Sequence, residues 1–201
     1  ELSPRFALTS STYWILAFSL AMRGMVFSAI VVHIVPIMIW KGIDESTAGI
    51  LIGMFTLPWI PVSLMMGWLG SRWPKKSVAA MGGLISGSGM FLLLLMDQVE
   101  IWQMALVFML WAFSEGSLPL GWAMLADQFG RKNLGVLRGT IMTLFSFLSI
   151  GTPFYAGWIF DRYESYTWLI IPAGTILILA GLLNWSMPSI RSNPTQPTNS
   201  A

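Results

Sequence analysis

Three ionisable side chains stand inside long apolar stretches of this chain: Arg23, His33 and Glu115. A charge at the centre of a membrane helix costs about 2.5–3.5 kcal/mol on insertion scales, so such residues face protein or a wet cavity and are candidates for function. The planar guanidinium of Arg23 matches a carboxylate, which makes Arg23 a candidate anchor for an anionic solute. Glu115 is a candidate proton carrier, a role that intramembrane carboxyls take in proton relays. The competing reading joins the two in one structural ion pair. His33, the sole histidine, sits beside Pro36 near the outer end of its segment. A hydrogen-bonded wall residue is the expectation there, ahead of a proton switch. Trp111, one turn before Glu115, and Trp122, two turns after it, are candidates to line a path, with packing or interface anchoring as the alternative.

Six apolar segments carry these residues, over roughly 12–39, 47–70, 77–96, 101–126, 136–160 and 167–187. Each is long enough as a helix to cross a hydrocarbon core of about 30 Å. Arg23 lies eleven residues into the first, or about 16 Å at helical rise. Glu115 lies fourteen residues into the fourth, or about 21 Å from the opposite direction. The two therefore reach similar depth. The chain is 55% hydrophobic and 10% charged, against about 25% charged for a soluble domain. The expected class is all-α integral membrane, a bundle over 1–187 followed by a disordered tail over 188–201, rich in Pro, Ser, Thr and Asn. A net charge of +2 spread over alternate loops gives no footprint for nucleic acid.

The loops alternate in sign. Lys41, Asp44 and Glu45 occupy the first, Arg72, Lys75 and Lys76 the second, Asp97 and Glu100 the third. Asp127, Arg131, Lys132 and Arg138 mark the fourth, and Asp161, Arg162 and Glu164 the fifth. Basic loops two and four read as cytoplasmic, which places both ends of the segment inside a cell membrane. The chain holds no cysteine, so disulfide, thiol and Cys-bound metal chemistry fall away. It begins at Glu1 without an initiator Met, which suggests a piece of a longer polypeptide.

Pro36, Pro58, Pro61, Pro119, Pro153 and Pro172 predict kinks, tolerated in membrane helices because neighbours re-satisfy the freed backbone groups. Gly83/Gly87 and Gly135/Gly139 have the spacing that permits close helix approach. One repeat is visible. Gly67-Trp68-Leu69-Gly70-Ser71-Arg72-Trp73 ends the second segment, and Gly157-Trp158-Ile159-Phe160-Asp161-Arg162-Tyr163 ends the fifth. Two three-helix units of opposite topology are the inverted repeat of many secondary transporters.

These residues resemble the C-terminal half of a major facilitator superfamily transporter, with a pattern similar to the monocarboxylate/oxalate-formate type branch. The stretch from Gly67 through Arg72, Lys75 and Lys76 resembles that superfamily's cytoplasmic loop motif, Gly-x-Leu-Ala-Asp-Arg-x-Gly-Arg-Lys. Ser71 stands at the motif's acid and Pro74 at its second glycine. Asp127, Gly130, Arg131, Lys132 and Arg138 resemble a later cytoplasmic loop, and Gly157, Asp161 and Arg162 the outer junction that follows. The resemblance implies twelve helices in the whole protein, a missing N-terminal six-helix half (or a second copy of this one) as partner, and a solute path between the halves. It implies that helices one, two, four and five line that path, with no cofactor.

Enzyme readings fit poorly. One histidine excludes a His-x-x-x-His zinc site, and no Gly-rich loop ends in Lys-Ser/Thr to hold nucleotide phosphates. Ser86-Gly87-Ser88-Gly89 lies inside an apolar helix and reads as small-residue packing. The leading expectation is a secondary transporter half for a small anionic solute in the lipid bilayer. The alternative is a self-contained six-helix scaffold without transport.

Overall fold

The computed structural model describes residues 4–188, and all regular structure among them is helical. A short lead-in, α1 (Pro4–Thr9), precedes the first span, α2 (Ser11–Trp40). The second span is α3 (Glu45–Met54) with α4 (Trp59–Arg72), and the third is α5 (Lys75–Leu95). The fourth is α6 (Ile101–Gly116) with α7 (Leu118–Phe129), the fifth α8 (Leu134–Ser149) with α9 (Thr152–Tyr163), and the sixth α10 (Thr167–Ser186). These make six runs long and apolar enough to cross a membrane. The expected tail lies, beyond Pro188, outside the described residues.

Proline decides where spans two, four and five break. It removes one helical hydrogen bond and its ring clashes with the carbonyl four residues earlier. Thus α3 stops at Met54, four before Pro58, and α8 at Ser149, four before Pro153. The fourth span turns at Ser117, just ahead of Pro119. The kinks expected there are brief interruptions, over 55–58, at Ser117 and over 150–151, within spans that stay helical as a whole. Pro36 and Pro172 instead sit inside continuous helices. The carbonyl of Trp168, freed by Pro172, accepts a long 3.4 Å bond from the Tyr155 hydroxyl, the kind of repair that lets a membrane helix carry proline.

The packing of the spans is unchanged when the two three-helix units are exchanged. The first span packs on the fifth and the second on the fourth, which interchange. The third packs on the sixth, which is self-equivalent, and the first–sixth contact matches the fourth–third contact. The motif 67–73 closes α4 and the motif 157–163 closes α9, equivalent places in the two units.

The third–sixth contact is the tightest, and glycine makes it so. A Cβ on Gly83 would lie 2.7 Å from the Leu177 carbonyl oxygen and 2.8 Å from the Gly181 Cα; one on Gly87 would lie 2.7 Å from the Gly174 oxygen. Backbone meets backbone there, as small-residue spacing permits. Gly135 and Gly139 do not behave so: both face open space within the chain. The same spacing lies on an inner face in one span and an outer face in the other.

The helix ends are tied by polar contacts. At one end Lys75 pairs with Asp127, and Lys76 Nζ donates to the Met187 carbonyl at 2.6 Å. At the other, Lys41 Nζ donates to the Met96 carbonyl and the Val99 amide donates to the Lys41 carbonyl at 2.9 Å, joining the first loop to the third. Asp44 caps α3 by accepting from the Thr47 amide at 3.0 Å, and its hydrogen bonds to Thr47 hold this carboxyl below its usual value. Three apolar clusters fill the described bundle, two of them built on α2 and the third on Val62, Met66, Val78, Ala112 and Leu120. Of the two on α2, one uses Tyr13, Leu16 and Leu20, the other Val26, Ile30, Ile34 and Met38. Arg23 lies between them.

Candidate functional site

Arg23 is 2% exposed. Its Nε donates to the Ser114 hydroxyl at 3.1 Å, while Nη1 and Nη2 are buried with no protein partner. A buried donor without an acceptor costs about 1–3 kcal/mol, and more when charged. Arg23 lines a cavity of about 220 Å³ whose other charged side chain is Glu115; the two terminal nitrogens of Arg23 lie buried behind the cavity surface. Leu20, Phe27, Leu118, Trp122, Met142 and Phe145 supply the apolar wall. The first, fourth and fifth spans thus contribute, and the second gives this cavity no wall residue.

The local sequence explains how these groups meet. Gly24 has no side chain, and Phe145 lies where its Cβ would point, 2.5 Å from that position. The aromatic ring of the fifth span thereby closes on the first beside Arg23. On the fourth span, Glu115 sits two residues before the turn at Ser117. There the Ser117 hydroxyl donates to the Ser114 carbonyl at 3.0 Å and the Ser117 amide to the Phe113 carbonyl at 3.2 Å. The α6 terminus is thus satisfied internally, and the Ser114 hydroxyl is free to accept from Arg23.

Arg23 and Glu115 share the cavity without forming an ion pair. Among the described residues the ion pair found within 4.0 Å is Lys75–Asp127. The contact pair weighed from the sequence is therefore absent: Arg23 Nε goes to Ser114, and no guanidinium nitrogen comes within 4.0 Å of the Glu115 carboxylate.

The two tryptophans part company. Trp122 borders the cavity and carries the Arg138 guanidinium over its ring, 4.6 Å from the centroid. Trp111 does not border it: its ring is 2% exposed and packs 5.0 Å from Phe55 and 6.1 Å from Phe27. Trp111 belongs to the apolar core beside Phe55 and lines a separate small apolar cavity of about 20 Å³, so it is no wall of the Arg23 cavity. His33 uses both ring nitrogens, one with the Tyr166 hydroxyl and one with the Pro153 carbonyl, each at 3.1 Å. It is a tie between spans one, five and six, and Gly157 makes room for its ring, 3.7 Å from a built Cβ.

Of the loop residues, Gly67 faces open space, and Gly70 is the glycine under pressure, with Leu120 at 2.5 Å from its built Cβ. Arg72 stacks over Trp68 at 4.3 Å. Arg131, Lys132, Asp161 and Arg162 are exposed, away from the cavity. Ser114 is the functional candidate that sequence reasoning missed. Its only signal was adjacency to Glu115, and a serine in a membrane helix bonds its own backbone as readily as a distant side chain.

The Major Facilitator Superfamily model matches residues 10–200. The chain belongs to the major facilitator superfamily. A comparison with curated proteins finds no match. Major facilitator superfamily membership, with six apolar spans, makes this chain a multi-pass membrane protein of a transporter class. In this superfamily member the buried, partly unbonded Arg23 lies at mid-span, the level at which transporters of repeat architecture hold their solutes.

Proposed function

We propose that this chain is the C-terminal six-helix half of a secondary transporter, moving a small carboxylate-bearing solute by alternating access. One observation carries the reading: Arg23 is held by Ser114 through Nε and keeps two terminal nitrogens without partners at a cavity. A guanidinium tied at one edge offers its other nitrogens as a fork, and a carboxylate fills that fork with two parallel hydrogen bonds. The resemblance of the loop motifs to the monocarboxylate/oxalate-formate type branch supports the same solute class.

Alternating access needs elements that move as segments. The breaks at 55–58, at Ser117 and at 150–151 divide three spans into half-helices, and hinges of this kind absorb rigid-body rocking around a fixed site. Spans two and five are the least buried of the six, which supports a second six-helix half as the partner covering them. The basic residues of loops two and four support a cytoplasmic setting for both ends of the segment. The test is uptake by proteoliposomes carrying the full-length protein, screened against carboxylates, sugars and neutral drugs. Arg23→Lys should weaken carboxylate uptake sharply with insertion unchanged. Uptake confined to sugars or neutral compounds, indifferent to Arg23, would sink the reading.

A further inference from the structure

We propose that the solute is a zwitterion, with an ammonium that Glu115 receives and a carboxylate that Arg23 receives, joined to a small apolar body. The inference rests on the carboxylate reading of Arg23 and adds the second charge. The cavity holds one cation and one anion, and the two do not neutralise each other by contact. Arg23 is almost fully buried with two nitrogens unbonded, so the site is short of an acceptor beside the guanidinium. Glu115 borders the same space and makes no ion pair.

A bare carboxylate answers only half of that arrangement. Bound at Arg23, it places a second negative charge near Glu115 in a low-dielectric space, where like charges repel far more than in water. The site would then need a proton on Glu115. A zwitterion satisfies both groups at once and leaves the cavity neutral. Arg23 and Glu115 are not in contact, so each is left to take its own charge-assisted partner at about 2.7–2.9 Å. The rest of the wall is aliphatic and aromatic, Leu20, Phe27, Trp122 and Phe145 among it. That wall favours an apolar side chain over a polar one. The cavity, of about 220 Å³, admits a small solute, and its apolar wall suits an aliphatic, thioether or aromatic body.

Calorimetric binding to the purified full-length protein at neutral pH tests this with matched pairs. Leucine, methionine and phenylalanine are each compared with the acid lacking the amine: 4-methylpentanoate, 4-(methylthio)butanoate and 3-phenylpropionate. At least one amino acid should bind tenfold or more tightly than its partner acid, with no net proton uptake between buffers of different ionisation enthalpy. Glu115→Gln should weaken that amino acid and strengthen its partner acid, narrowing the ratio tenfold or more. Arg23→Lys should weaken both. Acids that bind as tightly as the amino acids, dependent on Arg23 and with one proton taken up, overturn the zwitterion and keep the carboxylate reading. If neither series binds in an Arg23-dependent way, both readings fall together. The wild-type comparison decides the matter even where a variant fails to fold.

Discussion

Arg23 Nε and Ser114 Oγ meet at 3.1 Å across two spans, and this bond sets which edge of the guanidinium is free. Hydrogen bonds to charged groups are worth about 1.5–3 kcal/mol, and each 1.4 kcal/mol is tenfold in affinity. Ser114→Ala should therefore raise KM for the transported solute by about tenfold or more with a smaller change in kcat. Ser114→Thr, which keeps a hydroxyl, should stay near wild type. An alanine variant with an unchanged KM would show that Arg23 needs no such guide.

The missing Arg23–Glu115 contact gives a second expectation. Removing one partner of a buried ion pair costs about 3–5 kcal/mol through the charge left behind. No contact pair exists in the fold, but the two charges share one cavity, so Arg23→Met should lower insertion by less than loss of a contact pair would and should abolish transport. The double change Arg23→Met with Glu115→Met should behave the same way. Full transport by the double variant, measured in proteoliposomes, would strip Arg23 of any role with the solute.

The glycines separate by face. Gly83→Ala and Gly87→Ala push a methyl into the backbone of the sixth span, and overpacking of this kind costs about 1–3 kcal/mol. Gly135→Ala and Gly139→Ala meet nothing within the chain and should leave the third–sixth contact intact. Thermal unfolding in detergent reads the difference. Equal melting temperatures for all four would contradict the third–sixth contact.

Topology is open to chemical labelling. Cysteines placed singly at Lys75 and Lys132 should be shielded in intact cells from an impermeant thiol reagent. Those at Asp44, Asp97 and Glu164 should react. The ground is the excess of Lys and Arg in loops two and four. Labelling of Lys75→Cys from outside would invert the assignment.

The sequence by itself determined the spans, because length and unbroken apolarity alone decide what crosses a bilayer. It also determined that Arg23 and Glu115 share a depth, since helical rise is constant, and that 67–73 and 157–163 end equivalent helices. Its prolines marked where three spans break. Which way each side chain faces came only with the tertiary structure. α2 and α10 are apolar on nearly every side, so no stripe tells the inner face from the outer. On other spans, Trp111 and Trp122 looked alike and proved to be a core ring and a cavity wall, and Gly83 and Gly139 looked alike and proved to be a contact and an open surface. The Arg23–Ser114 bond joins residues 91 apart in the chain. No local pattern encodes it, because it exists only once the first and fourth spans are packed and their rotation about their own axes is set.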